Sequence, residues 1–404
     1  MAQNRKIVLA YSGGLDTSVA IRWLQERYDA EVATLTIDLG ANAELDEARE
    51  RALAIGAVRA DVYDAREEFI RDYVWPALQA GALYEGVYPL ATALGRPLIA
   101  KHLVRIAREE GAFAIAHGCT GKGNDQVRFD VSAAALAPEL HVLAPAREWG
   151  MGRDQEIVYA RERDIPLKLA SASAYSVDEN LWGRSVEAGD LEDPWKEPAE
   201  DAYEWTVSAA NAPDEPRYVE VGFEEGVPVS LDGERLGALE LVQRMHEAAG
   251  AHGVGRIDHV ENRLVGIKSR EVYEAPAAVA LSAAHRALEG MVLTKDQARF
   301  KERMGAEYAD LVYNGLWFSA HRLDLDAYVR STQQFVTGSV RLRLHKGVAV
   351  AVGRKSDAAL YRHDLATYDE GDAFDHRASE GFISIYGLPV RTQARIQGKG
   401  VEGA

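Results

Sequence analysis

One cysteine, Cys119, occurs in 404 residues. That excludes an internal disulfide and any zinc site built on two or more cysteines of this chain. No apolar stretch approaches the roughly 18 residues that a membrane span requires. The start Met-Ala-Gln-Asn-Arg-Lys runs straight into an apolar segment, so the chain is expected to be cytoplasmic, without a membrane partner. Internal repeats and low-complexity tracts are absent. The 11 histidines form no H-E-x-x-H or comparable cluster, so no protein-held metal site is expected, and a metal would arrive with a nucleotide. Basic charge is also scarce: 46 Lys and Arg against 63 Asp and Glu give a net charge of −17, with no long basic block. A polyanion such as tRNA or DNA is repelled on average, and no nucleic-acid partner is expected. Small anions need only a few local groups, such as Lys122 and Arg128, and helix N-termini.

The length and a hydrophobic content of 47% suffice for two domains with proper cores. Ile7-Val8-Leu9-Ala10-Tyr11 reads as a buried strand and Val19, Ile21, Trp23 and Leu24 as one face of a helix. A second strand follows at 32–38, a charged helix at 43–54, a third strand at 58–62, a helix at 97–110, a strand at 113–116, a strand at 142–144 and a helix at 154–162. Such alternation predicts a parallel sheet covered by helices, with ligands at the carboxyl ends of the strands. From about residue 166 the pattern changes. Residues 188–216 read as a long crossing loop, 219–231 as antiparallel strands, 236–249, 275–288, 295–308 and 325–335 as helices, and 340–352 as a hairpin. The second half is therefore expected to be α+β.

The chemistry concentrates in two loops. Ser12-Gly13-Gly14-Leu15-Asp16-Thr17-Ser18 lies between the first strand and the first helix. Its glycines let backbone approach an anion, its hydroxyls donate, and the helix start adds free N–H groups and a positive dipole end. It lacks the Lys of a Walker loop, so γ-phosphate transfer is not expected. It is similar instead to the SGGxD[ST] loops that bind the pyrophosphate leaving ATP. The second loop, His117-Gly118-Cys119-Thr120-Gly121-Lys122-Gly123-Asn124-Asp125-Gln126-Val127-Arg128-Phe129, starts where another strand ends. Ala116 and Gly123 stand where a Walker loop needs Gly and Ser or Thr, so Gly121-Lys122-Gly123 is not one. Asn, Asp, Gln and Arg after a glycine-rich turn can orient a small polar molecule. Nothing near Cys119 in sequence lowers its pKa, and it reads as a packing residue.

The chain resembles the argininosuccinate synthase family from end to end. The matching stretches are AYSGGLDTS (10–18), ALYEGVYPL (82–90), RPLIAKHLV (96–104), HGCTGKGNDQVRF (117–129), SVDENLWGRS (176–185), GVGRIDHVENRLVGIKSREVYEAP (253–276) and ADLVYNGLW (309–317). The resemblance implies a Rossmann-like, adenine nucleotide alpha hydrolase-like parallel-sheet domain at 1–165, an α+β synthetase and oligomerisation domain at 166–362 and an oligomerisation segment at 363–404. It implies condensation of citrulline with aspartate through citrullyl-AMP, with ATP and Mg²⁺ giving AMP and pyrophosphate, in a homotetramer. Carried over by position, ATP falls to Ala10, Tyr11, Ser12, Gly13, Gly14, Leu15, Asp16, Thr17, Ser18, Ile37 and Gly118. Citrulline falls to Tyr88, Asn124, Arg128, Ser176, Ser185, Glu261 and Tyr273, and aspartate to Thr120, Asn124 and Asp125. Asp16, Asn124 and Asp125 are the residues implied for catalysis, with no protein-held metal ligand. Arg128 can pair with a carboxylate and Glu261 suits an ammonium group.

Each of these residues also has a plainer role open to it: core aromatics for Tyr88 and Tyr273, a helix N-cap for Ser176, a surface strand position for Glu261. The chain departs from the family at Gly40-Ala41, where Gly-Gln is usual, at Ala93, where some members have a serine, and at Asp310, where Glu is usual. Ala41 and Ala93 are left out of the site. Glutamine-dependent amide synthetases and tRNA thiolation enzymes share the pyrophosphate loop, but need reactive cysteines, and the latter a basic surface. An ammonia-dependent adenylating ligase, or a nucleotide-sensing module without turnover, remains as an alternative from the residues alone.

Overall fold

A computed structural model describes residues 5–41, 44–167, 175–369 and 372–398. By contacts the chain divides into a unit ending at Ala358 and another beginning at Ala359.

The first half of the larger unit runs β1 (Arg5–Ala10), α1 (Leu15–Tyr28), β2 (Ala30–Asp38), α2 (Leu45–Ile55), β3 (Arg59–Asp64), α3 (Arg66–Phe69), a π-helical turn at Ile70–Val74 and α4 (Trp75–Ala80). It continues with α5 (Ala91–Glu110), β4 (Ala114–Ala116), α6 (Asp125–Leu136), β5 (His141–Leu143), α7 (Pro145–Glu148) and α8 (Arg153–Glu162). The strands form one parallel sheet in the order β3-β2-β1-β4-β5. Alternation along β1 explains its two covered faces. Ile7 and Leu9 join Val19, Ile21 and Leu24 of α1 and Ala52 and Ile55 of α2 in one core. Val8 joins Leu103 and Ile106 of α5 and Phe129 of α6 in another. The chain leaves β1 toward β2 on one side and returns to β4 on the other, so the order of the parallel strands reverses between β1 and β4. A crevice at the carboxyl ends of those strands is where open α/β sheets take ligands.

The expected parallel sheet is present, with changes around it: Asp125–Phe129, expected in a loop, open α6, the short helices α3 and α4 fall where none is expected, and α5 begins at Ala91, six residues before Pro97, rather than at it. Leu90, in left-handed conformation, starts the helix, and the interior proline removes a single backbone bond, that to the Ala93 carbonyl.

The rest of the larger unit comprises β6 (Ser176–Asn180), β7 (Gly183–Glu187), β8 (Arg217–Glu224), β9 (Val227–Leu231), β10 (Glu234–Arg235), α9 (Ala238–Gly250), β11 (Arg256–Asn262) and β12 (Lys268–Glu274). Then come α10 (Pro276–Val292), α11 (Lys295–Tyr313), α12 (Ala320–Gln333), β13 (Gly338–His345) and β14 (Val348–Lys355). Two antiparallel sheets result, β10-β9-β8-β13-β14 and β11-β12-β7-β6. The first matches the expected alternation. The second does not come from any strand read in the sequence: Ser176 opens β6 instead of capping a helix, and Glu261 lies on a strand but is buried. Its strands carry charge on both faces, so a period of two in hydrophobicity is missing. Phe69, Tyr73, Leu78 and Leu94 pack into the same core as Phe223, Leu281, Tyr308 and Leu342. Residues 69–98 thus tie the two halves together.

The smaller unit contains α13 (His363–Ala366), α14 (His376–Tyr386) and α15 (Leu388–Gln397), none with a buried residue. Among the described residues no helix is long and apolar enough to cross a membrane.

Candidate active site

The loop after β1 is tied to its surroundings by its own residues. Tyr11 is buried, and its hydroxyl lies 3.0 Å from Ser18 Oγ. Arg51 of α2 donates to the Gly13 carbonyl at 2.6 Å. Ser12 Oγ lies 3.2 Å from Thr17 Oγ1. Gly14 is the N-cap of α1, and no side chain caps it. The first N–H groups of a 14-residue helix are therefore left for an anion. Leu15 opens the helix, and Asp16 stands in its first turn facing Glu156 of α8. Burial, with the neighbouring Asp16 carboxyl, pushes Glu156 up to about 8.

The loop after β4 meets this one directly. A Cβ on Gly118 would come within 2.8 Å of Thr17 Cγ2, so only glycine fits this approach. His117 is buried; its Nδ1 accepts from the Cys119 N–H at 3.2 Å, so Nε2 carries the proton given to Asp130 at 2.8 Å. Gln126 Nε2 closes the glycine-rich turn on the Gly121 carbonyl at 2.6 Å. Burial pushes the Cys119 thiol up to about 12, with Asp125 adding to it, which leaves no thiolate for chemistry near neutral pH.

From this crevice a cavity of about 400 Å³ extends between the halves of the unit, its wall running from Ser12 to Tyr88, Asn124, Arg128, Glu261 and Tyr273. Arg128 is 3% exposed, on α6. Its Nε donates to the Tyr313 carbonyl at 2.9 Å and its Nη1 to Asp125 at 2.8 Å, while its buried Nη2 has no partner. A buried, unpaired guanidinium donor on a cavity wall is suited to an incoming carboxylate. Glu261, 2% exposed, supplies the opposite sign. It accepts from the Tyr273 and Tyr313 hydroxyls, both at 2.6 Å. Tyr88 and Tyr273 are buried and stacked at 4.2 Å, and both also line the cavity. Burial raises both phenols, so they stay protonated.

Ser176 and Ser185 reach the same wall from the antiparallel sheet, Ser185 Oγ donating to Glu271 at 3.1 Å. Asn124 spans the wall, its amide donating to the Tyr313 hydroxyl at 2.8 Å while its oxygen accepts from Leu264 N–H at 2.9 Å. Asp125 has both carboxylate oxygens occupied, by Arg128 and by Arg96 at 2.9 Å. Those two arginines hold it below the usual carboxylate range despite its burial. Two of the expected residues stand apart. Thr120 is exposed, outside the cavity wall, and Ile37, near the end of β2, is half-buried against the cores beside it. Ala93 is fully buried in α5.

Sequence reading missed several residues of this wall. Arg96 bridges Asp125 and Asp178; Arg263 bridges Glu187 and, at 2.5 Å, Glu271; Tyr313 closes the far side. An arginine directly before the apolar residues Pro97–Ala100 was the available signal for the first.

Burial, with the charges of Glu187 and Glu261, raises Glu271 to about 8. The unfolded chain releases this proton at ordinary carboxylate pH, so between about 4.5 and 8 the native state holds the extra proton and stability falls as pH rises. One such group contributes at most about 1.4 kcal/mol per pH unit. Glu156 acts in the same direction. Glu271→Gln is therefore expected to make the decline of Tm across that window shallower without abolishing it. Identical slopes in calorimetry of the two proteins would refute this assignment.

Two family models match the chain: arginosuccinate synthase N-terminal HUP domain over residues 6–166, and arginosuccinate synthase C-terminal domain over residues 175–393. The chain belongs to the argininosuccinate synthase family. Proteins named argininosuccinate synthase are similar along nearly the whole length. That of Symbiobacterium thermophilum is 60% identical, over 97% of this chain and 98% of its own. That of Dehalococcoides mccartyi is 58% identical, over 98% and 97%. That of Bacillus cytotoxicus is 54% identical, over 99% and 100%. The argininosuccinate synthase N-terminal match covers the parallel sheet with both crevice loops, and the C-terminal match covers the antiparallel sheet that carries Ser176, Ser185, Glu261 and Tyr273.

Proposed function

We propose that this chain condenses citrulline with aspartate, cleaving ATP to AMP and pyrophosphate. One observation carries the residue-level reading: a single cavity wall holds Ser12 of the anion loop, a buried arginine with a free donor and a buried glutamate. An amino acid has one carboxylate and one ammonium group, and Arg128 and Glu261 match them. Tyr88, Tyr273, Ser176 and Ser185 complete its surroundings. Citrulline held there turns its ureido oxygen toward the α-phosphorus of ATP. The helix start of α1 and the hydroxyls of Ser12, Thr17 and Ser18 receive the charge that grows on the departing pyrophosphate. Ala10 to Ser18, with Ile37 and Gly118, form the ATP site. The amine of aspartate then attacks the ureido carbon of citrullyl-AMP and AMP leaves. Asn124, presenting donor and acceptor together, aligns the two substrates. Aspartate lies along Asn124 and Asp125 and extends out of the cavity toward the exposed Thr120. Since the Asp125 carboxylate is already engaged by two arginines, its part is to hold them in place.

Mg²⁺ would come with the ATP, and the Asp16 carboxylate in the first turn of α1 would be the hard oxygen ligand this chain offers it. The ion would supply positive charge against the pyrophosphate. In this reading residues 1–165 bind the nucleotide, 166–362 complete the amino-acid site and 363–404 join subunits of a cytoplasmic homotetramer. Support for the last role comes from Phe382, Ile383, Tyr386, Leu388 and Val390, all exposed on helices without a core of their own.

The test separates the two steps. With ATP and citrulline but no aspartate, the enzyme is expected to exchange labelled pyrophosphate into ATP, because the first step has everything it needs. In the full reaction, heavy oxygen in the ureido group of citrulline should appear in AMP. Stoichiometric ADP, or unlabelled AMP, would overturn this reading.

A further inference from the structure

We infer that Tyr313, at the last turn of α11, is a positioning residue that sets Asn124 and Glu261 in register across the two halves of the site. The inference rests on the proposed function above. The Tyr313 hydroxyl accepts from Asn124 Nδ2 at 2.8 Å and donates to Glu261 Oε1 at 2.6 Å. One oxygen thus connects the residue placed between both substrates with the carboxylate placed on the ammonium group of one of them. Burial and the Glu261 charge raise this phenol, so it remains a donor at neutral pH.

The rest of the residue is fixed independently of that hydroxyl. The ring is fully buried, stacks on Tyr84 at 3.5 Å and 4°, and meets Tyr88 edge-on at 6.5 Å. The Arg128 guanidinium lies 4.8 Å from its centre, and the Tyr313 carbonyl accepts from Arg128 Nε. Two residues on, Gly315 has φ +78, and a Cβ there would come within 2.8 Å of Arg128 Cα. The chain after α11 is therefore built to pass close against the start of α6. Tyr313 belongs to the second half, while Asn124 and Arg128 belong to the first. A displacement of α11 would alter the contacts of Tyr313 with Asn124, Arg128 and Glu261 together.

Tyr313→Phe keeps the ring, the stacking and the carbonyl and removes only the bridge. Its Tm is expected to stay within a few degrees of wild type. Its citrulline KM in aspartate-free pyrophosphate exchange is expected to rise about tenfold, the scale for one hydrogen bond to a charged group. In the full reaction kcat should fall as well, because Asn124 no longer holds the two substrates in line. Tyr84→Phe is the control: it keeps the ring under Tyr313 and removes a hydroxyl that donates to the Asn262 carbonyl. It should leave the citrulline KM within about twofold. Wild-type exchange with an unchanged KM in Tyr313→Phe would overturn the inference alone, as would a lowered Tm with kinetics unaltered, or an equal effect in Tyr84→Phe. Wild-type enzyme without citrulline-dependent exchange would overturn the functional reading, and this inference with it.

Discussion

Arg128→Ala is expected to raise the citrulline KM by about ten- to a hundredfold, the range of one charge-assisted hydrogen bond to a carboxylate at roughly 1.5–3 kcal/mol. The guanidinium is buried and two of its nitrogens are already committed, Nε to the Tyr313 carbonyl and Nη1 to Asp125. Only Nη2 is without a partner, so the donor lost to the substrate is the one the protein does not use. The aspartate KM should rise less, because Asp125 keeps its bond from Arg96. Arg128→Lys should recover little. An ammonium cannot serve the carbonyl, Asp125 and a substrate carboxylate in the planar geometry of the guanidinium. Steady-state titration of each substrate decides the matter: an aspartate KM that rises alone would reverse the assignment of the two subsites.

The parts of this site that the sequence made legible are those encoded locally. Ser12 to Ser18 follow a strand and precede a helix within a few residues, and the alternation of Ile7, Val8 and Leu9 between two cores is visible in the chain itself. His117 to Phe129 likewise begin at a strand end. What escaped was made by pairing across distance. Arg96 reaches Asp178, 82 residues on, and Asn124 reaches Tyr313, 189 residues on. No period in the sequence records such pairs. The sheet of β6, β7, β11 and β12 escaped for a different reason: RIDHVEN and KSREVYE are short of apolar residues, because their buried side chains include Glu261, Glu271 and Glu274. Polar residues that face a site look, in sequence, like residues that face water. Family resemblance supplied Ser176, Ser185, Glu261 and Tyr273, whereas Arg96 and Tyr313 emerged only from the assembled wall.

Asp16→Ala is expected to lower kcat by about 10² or more, the scale for removing a group that acts on charge developing in the transition state, with little change in Tm. The two halves of this expectation come from the same geometry. Asp16 sits in the first turn of α1, next to the free N–H groups offered to pyrophosphate. A carboxylate there gains about 0.3–1 kcal/mol from the helix dipole. It faces Glu156, buried on α8 and raised to about 8 partly by the Asp16 carboxyl. Burial is the larger cause of that rise, and near neutral pH the protonated Glu156 shares a hydrogen bond with the Asp16 carboxylate, so this one contact is all that the substitution removes from the fold. Glu156 should then titrate closer to an ordinary carboxyl group, which a pH series of Tm would detect as a shallower decline between about 4.5 and 8. Near-normal turnover in the purified variant would remove Asp16 from the chemistry, and a parallel loss of Tm and activity would make its role structural.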